Sequence, residues 1–366
     1  MVDMKRGLNK FFVKALRSLE NVELSDLGRV NAFVGRNGSG KTTLLEALYL
    51  FFAHASPESI VGIAERRGEY DKTDNEGFWM PSIRHFFAGH SLSCGKDLIT
   101  FTGDGSSVGF SLGVEDLPLK DDYRIVKPTN IFHVSYKEMG GDITGLSFPI
   151  CKSGAMDNHY TGDGGYSRIF SPEDVPVAFV DPDGMSANAL LRMRDEVVSR
   201  GAENDLVKAL KLLDSRVESV GFLSADEKAY KFIANGTLVG LSGMNGRVPV
   251  KTLGDGMRRL LVIAMAMVCV KGGVLILDEV DSGLHYSAME SLWNFILKVS
   301  EANNVQVFAS THSLDCLRGL ASLCEGNDHV CDSVRLYSLS NIGKRVVSYR
   351  GRDMSIAINS EIEVRA

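Results

Sequence analysis

Gly35-Arg36-Asn37-Gly38-Ser39-Gly40-Lys41-Thr42 sets two glycines five residues apart ahead of a lysine and a threonine, the P-loop pattern. Each residue type has a physical reason to be there. Gly35, Gly38 and Gly40 tolerate positive φ, so the backbone can turn tightly with its N–H groups pointing inward. Those amides and the N-terminus of the following helix form a cradle of partial positive charge for a β-phosphate. Lys41 adds a full charge near the β- and γ-phosphates, and the Thr42 hydroxyl is placed to ligate Mg²⁺. Arg36, Asn37, Ser39 and Thr43 complete the set of nucleotide-binding residues in the loop. Upstream, residues 30–34 (Val-Asn-Ala-Phe-Val) predict a short buried strand. Downstream, Leu44, Leu45, Leu48, Phe51 and Phe52 recur at helical spacing on one face. Strand, loop and helix agree, and the chain is expected to bind a nucleoside triphosphate.

Composition narrows the class. The 366 residues suffice for one large domain or two ordinary ones, and 44% hydrophobic with 23% charged residues describe a globular protein with a substantial core. A net charge of −6 argues against a global attraction to nucleic acid or anionic lipid. The longest apolar run, 260–270, is too short to span a bilayer, and the first residues lack the apolar core of a signal peptide. Six cysteines without paired spacing suit a reducing compartment, so the expectation is cytoplasmic, with no membrane partner.

The patterning divides the chain. Strands are expected at 11–16, 22–24 and 30–34. A less regular middle, 57–250, mixes Gly/Asp/Ser turns (161–165 among them) with strand-like runs at 130–134 and 175–180. From 186 to 217 the period turns helical, with a break near Gly201. Strong patterning returns after Thr252: a buried helix at 260–270, a strand at 274–277, an amphipathic helix and a strand at 305–309. Strand–helix–strand implies a parallel sheet that also takes in the P-loop strand. A closing hairpin is expected at 334–339 and 345–349, turning across 341–344. Residues 1–56 and 251–366 are therefore expected to form the ATPase core. Residues 57–250 would be an inserted β-rich segment and helical lobe of the same composite domain.

Two further stretches carry chemistry. Val274-Leu275-Ile276-Leu277-Asp278-Glu279 has the form of a Walker B element. Asp278 at the strand end can hold the Mg²⁺ water shell, and Glu279 is the natural base for an attacking water. In Ser310-Thr311-His312-Ser313, His312 ends a neighbouring strand, where it can hydrogen-bond a γ-phosphate. Leu253-Gly254-Asp255-Gly256-Met257-Arg258-Arg259 precedes the buried helix, and its glycine amides make a second anion-binding nest. One chain already has a phosphate cradle, so the second nest suggests a cap on a neighbouring subunit's γ-phosphate.

P-loop, glycine-rich signature, Asp-Glu pair and histidine, in that order, resemble an ABC-type ATPase head. The run Asp278-Glu279-Val280-Asp281-Ser282-Gly283-Leu284-His285 is more similar to the OLD, RecF and SMC branch than to membrane transporters. Gly-Asp-Gly-Met-Arg-Arg and Gly-Leu-His resemble the OLD-like ATPases, which include stand-alone subunits of phage-defence systems such as PARIS. The resemblance implies an α/β P-loop NTPase of ABC-ATPase head type. Its mixed or parallel central sheet would carry an antiparallel β lobe and a helical lobe. It implies ATP hydrolysis with Mg²⁺, and roles for individual residues. Gly35, Gly38, Gly40, Lys41 and Thr42 would hold phosphate and metal, and Gly254, Asp255 and Gly256 the trans nest. Asp278 would hold metal, Glu279 and His312 would be catalytic, and His285 would face the opposite subunit. Homo-oligomers built through the ATP sites and a separate TOPRIM or other nuclease effector are implied, as an antiviral switch. The alternative is a RecF-like DNA-repair ATPase, for which DNA is the partner.

Two departures from the pattern stand out. ABC heads carry a Q-loop glutamine between P-loop and signature, yet the only glutamine here is Gln306. Gly254 replaces a serine common in relatives. No TOPRIM nuclease is expected in this chain: residues 313–366 are too few for one after His312, and Asp181-Pro182-Asp183-Gly184 reads as a turn. His312, Cys316, Cys324, His329 and Cys331 fit no compact zinc template.

Overall fold

The computed structural model describes residues 7–73, 78–92, 95–113, 130–138, 141–156, 175–185, 187–222, 237–340 and 345–365. The expected turns at 161–165 and 341–344 lie outside the described residues. The chain forms two compact units. One takes Met1–Leu27, Gly38–Val175 and Leu339–Val346; the other takes Gly28–Asn37, Pro176–Ser338 and Val347–Ala366.

In the second unit the hydrophobic runs become a parallel sheet. Val30–Val34, Val274–Leu277 and Gln306–Ser310 are buried along their whole length, as strands covered on both faces must be. The strand order is Val177–Val180, Val274–Leu277, Gln306–Ser310, Val30–Val34, Val334–Ser340, Arg345–Arg350. The first five are joined by parallel pairings, and the P-loop strand sits between Gln306–Ser310 and Val334–Ser340. The helix Met289–Asn303 makes the expected crossover. Its buried face carries Leu292, Trp293, Phe295, Ile296 and Val299, and it ends where Asn304 turns left-handed at φ 50°. Trp293 donates its indole N–H to the Cys316 carbonyl at 2.9 Å, which docks the crossover helix on the helix Leu314–Cys324. Ala187–Ser199 and Glu203–Lys211 are the two helices expected on either side of Gly201, which sits at φ 61°. The helix Asp255–Cys269 buries ten of its residues and starts earlier than the apolar run alone indicated.

The first unit is built on an antiparallel sheet ordered Leu19–Leu24, Phe11–Leu16, Gly95–Gly103, Ser106–Gly113, Asn130–Lys137, Ile143–Ile150. A row of phenylalanines crosses it: Phe11, Phe101, Phe110, Phe132 and Phe148, with successive ring centroids 5.1–6.4 Å apart. Phe51 meets Phe11 edge-to-face at 5.4 Å, so the helix Lys41–Phe52 rests on this aromatic face. Each such ring pair adds about 0.5–1.5 kcal/mol beyond its buried area. The same helix is held by charge. Glu46, 2% exposed, lies 2.6 Å from Arg67 Nε and 3.3 Å from Arg17 Nε, and Arg17 also forks onto Glu69. Breaking one member of a buried ion pair costs about 3–5 kcal/mol, because the survivor is left uncompensated. The fold is thus α/β, with a parallel central sheet, an antiparallel sheet and a helical region, as expected.

Candidate functional site

The glycines of the P-loop adopt the backbone their positions demand. Gly35 has φ 148°, Gly38 77° and Gly40 97°. A Cβ on Gly38 would meet nothing within 4 Å, so conformation and not space requires glycine there. Gly40 is the N-cap of the helix Lys41–Phe52 and no side chain caps it. The first helical bond runs from Leu44 N–H to the Gly40 carbonyl, which leaves the amides before it directed along the axis beyond the helix end. Lys41 is only 8% exposed and Thr43 6%, with Thr42 half-buried and Arg36 and Asn37 exposed. Ser39 is 7% exposed and its Oγ has no hydrogen-bond partner. A buried hydroxyl left unpaired costs about 1–3 kcal/mol, so the Ser39 hydroxyl fits an anionic ligand whose oxygens would satisfy it.

The acidic pair ends its strand at the same sheet edge from which Gly35 departs. The strands Val30–Val34, Gln306–Ser310 and Val274–Leu277 are parallel neighbours in that order, so Gly35, Thr311 and Asp278 all follow strand C-termini. This is where open parallel sheets collect ligands. Asp278 is buried and accepts a hydrogen bond from the Ser310 hydroxyl at 2.5 Å, while that same Oγ accepts from the Glu279 N–H at 2.9 Å. One serine therefore joins the Asp278 carboxylate to the Glu279 backbone. Glu279 is held at φ 45°, a left-handed conformation uncommon for a non-glycine residue. His312 Nδ1 lies 3.9 Å from Glu279 Oε1, and both side chains are about half exposed. Thr311 donates its N–H to the Phe33 carbonyl at 3.0 Å and its hydroxyl to Asp281 at 2.6 Å, fixing the turn ahead of His312.

Arg259 is a residue whose role the sequence reading did not assign. It is 5% exposed and its guanidinium donates to the carbonyls of Asp181, Asp278 (3.0 Å) and Glu279 (3.2 Å). Burial pulls its pKa below the usual arginine value, opposed by the nearby Asp181, Asp278 and Asp281. The helix that begins at the second glycine nest is thereby tied to the ends of two strands. The signal was available, since a charge at position 259 falls among the apolar positions of a buried helix. Ser310, likewise, gives no signal in the sequence beyond its place beside His312.

The second nest differs from the first. Gly254 has φ 93° and caps Asp255–Cys269 without a side-chain bond, and Asp255 is exposed. Gly256 lies beside Leu284: a Cβ there would be 3.1 Å from Leu284 Cδ2, so nest and Gly-Leu-His turn are adjacent within one chain. His285 is exposed and its Nδ1 lies 3.0 Å from the Ser287 hydroxyl. Gln306 opens its strand, at the end away from the acids, with its amide donating to the Gly28 carbonyl at 2.8 Å. Asp181 and Gly184 close a turn through paired backbone hydrogen bonds, as expected. Among the described residues no group of three or more His, Cys, Asp or Glu could hold a metal ion, and no helix is long and apolar enough to cross a membrane.

Known proteins share parts of this design. Residues 4–88 match the family model described as "AAA ATPase domain", and residues 189–317 the one described as "AAA domain, putative AbiEii toxin, Type IV TA system". An ATP/GTP phosphatase of Helicobacter pylori is 21% identical over 383 residues, covering 95% of this chain and 97% of that protein. A DNA replication and repair protein RecF from Geotalea uraniireducens is 46% identical over 43 residues, 12% of each chain. The SMC head domain from Thermotoga maritima overlaps 94% of this chain and 99% of its own, at 14% identity and TM-score 0.42. An Smc head bound to the C-terminal domain of ScpA from Pyrococcus furiosus overlaps 97% and 99%, at 12% identity and TM-score 0.45. The two family matches show that the chain carries an ATPase domain, and the P-loop and the Asp278-Glu279 pair fall within the matched residues.

Proposed function

We propose that this ATPase domain works as a switch. ATP would bind through Gly35, Arg36, Asn37, Gly38, Ser39, Gly40, Lys41, Thr42 and Thr43, and its hydrolysis would set the affinity of the chain for a separate effector. The supporting observation is the Ser310 bridge, which holds Asp278 and Glu279 at the edge where the P-loop strand ends. Water attacks the γ-phosphorus and the bond to the β,γ-bridging oxygen breaks. The water's proton passes to Glu279, and ADP and phosphate are the products. His312 donates a hydrogen bond to the γ-phosphoryl oxygens as charge gathers on them. Thr42 and Asp278 would be the protein-side oxygen partners of a bound Mg²⁺, which would supply charge neutralisation for the phosphates. The orphaned Ser39 hydroxyl and buried Lys41 fit a triphosphate in the loop.

Oligomers would form through composite sites, with Gly254, Asp255 and Gly256 capping the neighbour's γ-phosphate and His285 facing the opposite subunit. The Gly-Asp-Gly-Met-Arg-Arg and Gly-Leu-His runs support an OLD-like ATPase in phage defence acting on a TOPRIM or other nuclease. The toxin–antitoxin description of the model matching residues 189–317 points the same way. The short RecF similarity favours a second reading, an ATPase that closes on duplex DNA. Light scattering with and without ATP, together with pull-down of the native complex, tests the switch. ATP-dependent assembly and retention of a nuclease are expected; salt-sensitive binding of duplex DNA with no protein effector would favour the second reading.

A further inference from the structure

His312 is half exposed, so few side-chain contacts hold its imidazole and its aim depends on the backbone beneath it. That backbone is pinned on both flanks. Thr311 is bonded to Phe33 and Asp281, and Ser313 donates its N–H to the Thr311 hydroxyl oxygen while its own hydroxyl caps the next helix, accepting from the Cys316 N–H. The His312 carbonyl points elsewhere, to Arg365, whose Nη1 donates to it at 3.2 Å. Arg365 is itself prepared for this contact. Its Nε and Nη2 fork onto the Glu363 carboxylate, both at 2.8 Å, and its backbone N–H donates to the same carboxylate at 2.9 Å. Between them Val364 is 1% exposed and belongs to the apolar core that contains Leu317 and Leu320. Arg365 and, more weakly, the P-loop residue Arg36 hold the Glu363 carboxyl at about 2.

We propose that Glu363, Val364 and Arg365 form a strap that positions His312, with Arg365 as a positioning residue for the hydrolytic step. Val364 anchors the strap, Glu363 sets the plane of the guanidinium, and Arg365 holds the turn through the His312 carbonyl. The inference rests on the assignment of His312 to the γ-phosphate. A turn freed by an ångström would leave ATP bound but its γ-phosphoryl oxygens poorly matched.

The test uses the full chain and five proteins: parent, Arg365→Ala, Arg365→Lys, His312→Ala and the Arg365→Ala/His312→Ala double variant. Arg365→Ala is expected to lower kcat about tenfold with KM for ATP within about twofold, and Arg365→Lys to recover part of the loss. In the His312→Ala background, removing Arg365 should change nothing further, because the two act through one group. A tenfold loss that persists in that background, or parental kcat in Arg365→Ala, overturns the strap while leaving the ATPase reading in place. The His312 ring resonances of the nucleotide-free protein give a readout independent of turnover. They should move in Arg365→Ala and return toward parental positions in Arg365→Lys. If they stay at their parental positions in Arg365→Ala, the strap is refuted even in a chain that hydrolyses nothing. Loss of hydrolysis in the parent, with the resonances moving as expected, counts against the ATPase reading alone.

Discussion

Two helices in this chain follow a glycine at positive φ and present opposite surfaces. Lys41–Phe52 and Asp255–Cys269 are capped by glycines of similar φ (97° and 93°) but different ψ (11° and 162°), and neither cap makes a side-chain bond. At the first, the residue after the cap is a lysine 8% exposed, preceded by a buried serine hydroxyl without a partner. At the second it is an exposed aspartate, and a Cβ on the capping glycine would meet open space. The backbone offers an anion site at both ends. Burial separates them: Ser39 and Lys41 are buried at the first, while Gly254 and Asp255 are exposed at the second. The lesson is that a glycine nest states a capability, and its surroundings select the use.

The largest effect expected from breaking this comparison is at the buried nest. Lys41→Ala removes the enclosed charge, so ATP affinity should fall about 100-fold or more and hydrolysis should vanish, with the fold retained. Equilibrium nucleotide binding beside thermal unfolding measures both, and parental turnover would remove the P-loop assignment. At the exposed nest, Gly256→Asp sets a carboxylate against an incoming phosphate and should lose hydrolysis while keeping binding at Lys41. The added Cβ presses only on the end of the Leu284 side chain, which can yield. Mixing Gly256→Asp with Lys41→Ala subunits should restore part of the activity, since one interface keeps both intact halves. Exchanged oligomers with no restoration would show that the second nest does not act in trans.

A smaller effect sharpens the same contrast between binding and chemistry. Glu279→Gln keeps size and hydrogen bonding but removes the base, so turnover should slow about 10²–10⁴-fold. Binding should persist, and the ATP-bound oligomer should accumulate by light scattering, whereas Lys41→Ala should not accumulate it. Equal oligomer size for both variants and the parent would argue against an ATP-driven switch. The smallest effect is conformational. Gly254→Ala has room but a backbone conformation (φ 93°, ψ 162°) that is essentially confined to glycine, and should destabilise by about 1–3 kcal/mol. Gly62→Ala, within the helix Pro57–Arg67 where a Cβ also meets nothing, should stabilise by about 0.5–1 kcal/mol. Unfolding curves that moved in the same direction would contradict the claim that backbone angle alone distinguishes them.

Local order was legible without coordinates. Five consecutive apolar-leaning residues ahead of Gly35, the leucines and phenylalanines after Thr42, and the run from Val274 to Glu279 each declare their element, because helix and strand periods and glycine's conformational freedom act over a few residues. The crossover from the strand Val274–Leu277 to the strand Gln306–Ser310 was also legible, since two parallel strands need a covering helix between them. Gln306 shows the limit. The sequence marks it only as the sole glutamine, outside the interval between P-loop and signature, and the structure sets it at the far end of its strand from the acids, on the Gly28 carbonyl.

Taken alone, the sequence determined the strand before the P-loop and the helix after it, the strand at 274–277, the crossover helix and the strand that follows it, and it offered a set of residues suited to phosphate chemistry. Tertiary structure alone decided that Gln306–Ser310 pairs with Val30–Val34, that Ser310 joins Asp278 to Glu279, and that Arg259 ties a helix to two strand ends. It also decided that Glu46 is buried between Arg17 and Arg67, and that Arg365 reaches His312 across 53 positions of sequence. The physical reason is range. Dihedral preference and hydrophobic period are set by near neighbours, whereas a hydrogen bond between distant residues exists only after the sheet has brought its strands into register.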